Sequence, residues 1–255
     1  MTTPVGWYGA PEVAVARRRT LGLLSAAQIL GGIGSGAGLS VGILLAEKVT
    51  SSEGWARVAL SGTTIGAALF AIPLAAIAAG SGRRLSLGGG WLVAAVGSLL
   101  LVVAAERIGS TLATVLLIFG MVLAGCGSAV TLQSRYAATD LAAPNRRSRD
   151  LSLVVWSTTV GSVLGPNLGA PGQALSDWLS MQPFAGPFII ATVMQLVAAG
   201  LFLFLRPDPL LLASRLQGLE RPIVLPSSAL PGRRLTEALR MAWRVPALPT
   251  CPAGW

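Results

Sequence analysis

Residues Leu21–Ala46 read LGLLSAAQILGGIGSGAGLSVGILLA, with no Asp, Glu, Lys or Arg among them. At about 1.5 Å rise per residue, a helix over this stretch is longer than the roughly 30 Å hydrocarbon layer of a bilayer. Five further stretches of the same kind follow: Val58–Ala79, Leu85–Ala105, Leu112–Leu132, Leu151–Ala174 and Phe184–Leu205. Each is predicted to be helical, because a lone segment in hydrocarbon satisfies its own N–H and C=O groups only as a helix. The expected fold is therefore an all-α membrane protein with six transmembrane helices.

Composition agrees. Of the 255 residues 53% are hydrophobic and 11% charged, with a mean hydropathy of +0.69. Soluble domains carry roughly a quarter charged residues. The 31 glycines suit close helix packing in lipid better than an aromatic-filled soluble core. The net charge of +9 does not indicate nucleic acid, because the charges lie between or at the edges of the apolar stretches and form no continuous basic face. With no histidine and two separated cysteines, Cys126 and Cys251, no metal site, cofactor or His-activated nucleophile is expected. The chain does not read as an enzyme. An intramembrane protease lacks its dyad or paired carboxylates, and a channel lacks its filter loop or charged ring.

The basic residues are one-sided. If the N-terminus lies inside the cell, all of the 19 except Lys48, Arg57 and Arg107 fall in cytoplasmic segments. The excess of positive charge inside then puts both termini in the cytoplasm of a plasma-membrane protein. Residues 1–20 become a cytoplasmic N-terminal segment, 21–205 the six-helix domain, and 206–255 a cytoplasmic central-loop or tail segment, expected to be truncated. Leu210–Leu219 reads as an interfacial helix. Trp55, Trp91 and Trp178 stand near predicted span ends, where indoles favour the membrane interface.

An internal repeat links the halves of the domain. Gly32-Ile33-Gly34-Ser35 in the first span matches Gly125-Cys126-Gly127-Ser128 in the fourth, and Thr63-Thr64-Ile65-Gly66 in the second matches Thr158-Thr159-Val160-Gly161 in the fifth. Three spans separate the copies, so the second is inverted, giving a 3+3 inverted repeat of the kind from which several transporters are built. Gly34, Gly38 and Gly42 form a small-residue ridge on the first span, and Gly161, Gly165 and Gly169 one on the fifth. Such ridges serve close packing, helix sliding or both.

These residues resemble the major facilitator superfamily, in particular drug-efflux-like permeases of high-GC actinobacteria, over roughly Leu21 to Arg244. Gly82-Arg83-Arg84 matches the end of the family's motif between its second and third helices, while Ala79 and Gly80 stand where its Asp and the neighbouring Arg are expected. The resemblance implies a cytoplasmic gating network at Gly82, Arg83 and Arg84. Arg135, Asp140, Arg146 and Arg147, with Arg149 and Asp150, lie in the corresponding loop of the repeat and offer equivalent charge pairs or a purely topogenic loop. Gly161, Gly165, Pro166 and Gly169 match the glycine-proline core of the fifth helix of family antiporters, a helix-bending point. Met121 occupies the place of the buried Arg of many proton-coupled members, so proton coupling rests on resemblance alone.

What the resemblance implies is the N-terminal half of a major-facilitator fold. Its function would be secondary transport or efflux of a small molecule by alternating access. The partners are the bilayer, the substrate, a proton, and either a missing C-terminal half or a homodimer partner. Polar candidates for the substrate path are Gln28, Thr63, Thr64, Thr158, Thr159, Asn167 and Gln195. Competing readings are the membrane domain of a transporter with a separate ATPase, since the chain has no phosphate-binding Gly-Lys-Ser/Thr loop, and an inactive or regulatory membrane fragment.

Overall fold

A computed structural model describes residues 11–51, 53–206 and 208–216; the remainder of the predicted 206–255 tail and the first ten residues lie outside the described residues. The described residues form helices and connecting turns. They comprise α1 (Pro11–Thr50), α2 (Glu53–Ser81), α3 (Arg83–Glu106), α4 (Thr111–Ala124), α5 (Cys126–Thr139), α6 (Arg147–Leu164), α7 (Gly169–Trp178), α8 (Ala185–Leu203) and α9 (Pro209–Leu216). Helix α1 begins inside the predicted N-terminal segment, and α9 covers most of the predicted interfacial helix.

Among the described residues five helical stretches are long and apolar enough to cross a membrane: Glu12–Thr50, Leu60–Ser81, Arg83–Glu106, Thr111–Thr139 and Ala185–Phe202. The fourth includes a break at Gly125 between α4 and α5. The stretch predicted as the fifth span is divided. Helix α6 stops at Leu164, a 3₁₀ turn spans Gly165–Leu168, and α7 resumes at Gly169. Pro166 has no N–H to give, and its ring crowds the carbonyl four residues back, so the α-helical ladder loses a rung there, and between Gly165 and Gly169 the chain takes up a 3₁₀ turn instead. Pro73 lies inside α2 without ending it.

Packing within the bundle depends on missing side chains. In lipid no hydrophobic force drives helices together, so close backbone approach carries the association. A Cβ on Gly161 would lie 2.6 Å from the Ile29 carbonyl oxygen and 2.9 Å from Gly32 Cα, and one on Gly165 would lie 2.6 Å from Gly36 Cα. The seam between α1 and α6 is therefore glycine on glycine. A second seam of this kind joins α2 to the α4–α5 junction, where Gly66 abuts the Val122 carbonyl and Gly125 abuts that of Thr63.

The predicted ridge Gly34–Gly38–Gly42 is not one interface. Gly34 faces Ala191 and Gln195 of α8, and Gly42 faces Met121. A Cβ on Gly38 would meet nothing within 4 Å, and the same holds for Gly169. It is Gly32 and Gly36 that meet α6. Trp91 also departs from expectation: it is 0% exposed, seated over Gly31 and Gly127, whereas Trp55 and Trp178 are exposed. The two glycines leave a slot only an unsubstituted backbone provides, and the indole fills it. Gln195, 1% exposed, accepts a hydrogen bond from Ser98 at 2.9 Å, tying α8 to α3 by a contact of about 0.6–2 kcal/mol.

Candidate functional site

Two features stand out among the described residues: a polar cavity between α1, α5 and α6, and a charge cluster where α3 begins and α5 ends. The cavity has a volume of about 530 Å³. Ser35 and Ser40 of α1, Thr131 and Arg135 of α5, and Thr158 and Ser162 of α6 contribute its polar lining. The glycines of the α1–α6 seam hold its floor, since Gly32 and Gly36 also line it.

The hydroxyls are oriented by their own helices. Ser40 donates to the Gly36 carbonyl at 3.1 Å, Thr131 to Gly127 at 3.0 Å, Thr158 to Val154 at 3.0 Å and Ser162 to Thr158 at 3.0 Å. With their protons committed to backbone, these oxygens keep lone pairs free to accept. The Ser35 hydroxyl is buried without a hydrogen-bond partner among the described residues. Arg135 is exposed and supplies the cavity's one charged lining residue. Such a wall is apolar over most of its area, accepts hydrogen bonds from N–H or O–H groups at a few hydroxyls, and donates to an anionic or carbonyl oxygen at Arg135.

Of the predicted path residues, Thr158 lines the cavity. Gln28 stands behind it, fully buried, its amide N–H donating to Ser134 at 2.7 Å and its Oε1, 3.4 Å from the Thr158 hydroxyl, offering that proton a longer alternative to the Val154 carbonyl. Thr63, Thr64, Thr159, Asn167 and Gln195 are not among the lining residues. Thr64, Thr159 and Asn167 are exposed, the last two bonded to the carbonyls of Val155 and Val163. Thr63 donates to Leu60 at 2.7 Å and meets Gly125 through its carbonyl. From the bending motif Pro166 reaches the cavity; Gly161 and Gly165 form the seam beneath it.

In the charge cluster Arg83 donates to Asp140, Nε to Oδ2 at 3.0 Å, and to Gln133 Oε1 at 3.0 Å. Burial raises the Asp140 carboxyl above its usual range; Arg83 opposes this by charge and hydrogen bond, and the Asp208 carboxylate adds to it. Asp208 caps two helices at once. Its Oδ2 accepts from the Arg84 backbone N–H at 2.8 Å, and its Oδ1 accepts from Leu210 at 3.1 Å at the start of α9. Gly82, at φ +91°, lies directly against this carboxylate, where a Cβ would collide with it. A second pair, Arg17 to Asp150 at 2.7 Å, joins the beginnings of α1 and α6.

Thus Asp140 and Asp150 pair across the bundle rather than with the arginines of their own loop. Arg135 and Arg146 make no ion pair among the described residues, and Arg147 bonds weakly to the Ala142 carbonyl at 3.4 Å. Asp208, Arg17, Gln133 and Ser35 are not among the predicted site residues, although Ser35 belongs to the repeated Gly32-Ile33-Gly34-Ser35. Asp208-Pro209 before a Leu-rich run carries a local helix-start signal; the others carry none.

Comparison with known proteins adds a family. A model described as Major Facilitator Superfamily matches residues 24–255. An uncharacterized MFS-type transporter of Bacillus subtilis, YddS, is 37% identical over 218 residues, which is 85% of this chain and 49% of YddS. YdeG, another uncharacterized MFS-type transporter of that organism, is 33% identical over 202 residues, 78% of this chain and 46% of YdeG. The riboflavin transporter RfnT of Brucella anthropi is 31% identical over 195 residues, 76% of this chain and 47% of RfnT. The chain spans about half the length of these curated relatives. No solved structure matches it.

Proposed function

The chain belongs to the major facilitator superfamily, a transporter family rather than an enzyme family, and from that membership we propose that it forms one six-helix half of a small-molecule transporter. In this reading α6, the 3₁₀ turn and α7 together make one more crossing, the fifth in chain order, both termini lie in the cytoplasm, and the membrane is the plasma membrane. A second six-helix unit, either further sequence of a longer polypeptide or another copy, completes the cavity between α1, α5 and α6.

The observation that carries this reading is that cavity. A guanidinium and several hydroxyls sharing one recess are costly against hydrocarbon, so the recess belongs to water, to a substrate or to a facing unit. The paired seams support the inverted repeat: first span against fifth and second against fourth are the same contact under exchange of the two halves, and both are made by the repeated glycine motifs. The cluster of Arg83, Asp140 and Asp208 suits a latch that holds one end of the half rigid, with Asp208 supplying the carboxylate absent at Ala79. The substrate fitting this wall is apolar over much of its surface, with a few N–H or O–H donors for the hydroxyls and an acidic or carbonyl oxygen for Arg135.

Cysteine reactivity tests the cavity. In a background without native cysteines, Ser162→Cys should react rapidly with a water-soluble maleimide, and its exposed neighbour Val163→Cys, on the outer face, slowly. Riboflavin, the cargo in the name of one relative, is the first compound to try for protecting Ser162→Cys, and Thr158→Leu should abolish any protection. Equal, slow reaction at both positions would remove the aqueous path and with it the proposal.

A further inference from the structure

A larger cavity, of about 690 Å³, opens between α1 and α6 on the other flank of their glycine seam. Successive residues turn by about 100° along a helix. Arg149, Leu153, Trp156 and Val160 therefore make one stripe of α6, facing this cavity, and Thr158 and Ser162 another, facing the polar one. The rim is basic. Arg17, Arg18, Arg146 and Arg149 line it; Asp150 neutralises Arg17, whereas Arg18, Arg146 and Arg149 are exposed and without ion-pair partners among the described residues. Beneath the rim the wall turns apolar, with Trp156 72% and Leu153 49% exposed.

We propose that this groove binds an anionic phospholipid, its phosphate held by Arg18, Arg146 and Arg149 and one acyl chain laid along Leu153, Trp156 and Val160. Charge and shape together select the occupant. Three unpaired guanidinium groups around one recess repel one another and call for a counter-charge. A free phosphate meets that demand but leaves the apolar wall unused, and a zwitterionic lipid brings its own cation to the arginines. Basic pockets between membrane helices at a membrane surface take such headgroups, and each arginine there is worth about fivefold in binding. The site requires only that the first turns of α1 and α6 lie at a membrane surface, so it does not depend on transport or on which side the termini occupy.

The test uses the full chain purified in detergent, with native mass spectrometry reading retention of phosphatidylglycerol against phosphatidylcholine of identical acyl chains. Phosphatidylglycerol should be retained about tenfold better or more. Arg18→Gln/Arg146→Gln/Arg149→Gln should bring it down to the phosphatidylcholine level. Arg19→Gln/Arg147→Gln/Arg206→Gln, the same change in charge outside the groove, should leave the preference within about twofold of the parent. Trp156→Ala should lower retention of phosphatidylglycerol while keeping its preference, and millimolar inorganic phosphate should fail to displace it. Equal retention of the two lipids overturns the proposal, as does equal loss in both triple variants. Full displacement by inorganic phosphate also overturns it, assigning the rim to a free anion instead.

Discussion

At Asp140 two opposing effects meet in one carboxylate. Removing a partner from a buried ion pair commonly costs about 3–5 kcal/mol, which would make Asp140→Asn damaging. Burial, however, is the largest influence on this group and raises its pKa from 3.8, with Asp208 pushing the same way and Arg83 pulling back. A raised folded-state pKa means the fold favours the protonated carboxyl over the ionised one. Its stabilising contribution is complete below the ordinary carboxyl range and is lost as pH rises through the folded value. Asp140→Asn, which mimics the protonated form, should therefore raise the unfolding temperature at neutral pH, with the difference vanishing as pH falls below about 4. Thermal unfolding of both proteins between acidic and neutral pH checks the sign. A variant destabilised at neutral pH would mean that the pair with Arg83 outweighs burial.

Among the helices the decisive contacts are backbone against backbone. Gly161 and Gly169 lie on the same predicted ridge but in different surroundings: the first is pressed on Ile29 and Gly32, the second has open space. Gly161→Ala should destabilise by about 1–3 kcal/mol through overpacking. Gly169→Ala should be neutral or gain up to about 1 kcal/mol from helix propensity. Unfolding midpoints of the two variants separate the cases. The contrast also marks how far the sequence could be read. Helix positions were legible, because uninterrupted apolar stretches leave a chain in lipid no alternative, and Pro166 announced a bend. Which glycine faces which neighbour was not, because Gly32 and Gly36 share with Gly34, Gly38 and Gly42 the same four-residue spacing. Trp91 near a span end likewise had the local look of an interface anchor, and its slot over Gly31 and Gly127 exists only once α1, α3 and α5 are assembled. Pairs such as Arg83 with Asp140 join residues far apart in the chain, and no local pattern specifies them.

For the molecule as a whole, the proposed half-transporter depends on the divided helix. Among the described residues five stretches are long and apolar enough to cross a membrane. An inverted 3+3 arrangement needs one crossing more, fifth in chain order, made by α6, the 3₁₀ turn at Gly165–Leu168 and α7 in series. With it, Asn145 and Leu179 lie on opposite sides of the bilayer, the Arg17–Asp150 and Arg83–Asp140 pairs share one side, and the polar cavity faces a second unit. Without it, the repeat fails and the cavity loses its place at the interface of the halves. Single cysteines at these two positions, introduced as Asn145→Cys and Leu179→Cys after replacing Cys126 and Cys251, can be probed in intact cells with a membrane-impermeant maleimide. In the half-transporter arrangement Leu179→Cys is labelled from outside and Asn145→Cys only after permeabilisation. Labelling of both from the same side would contradict it.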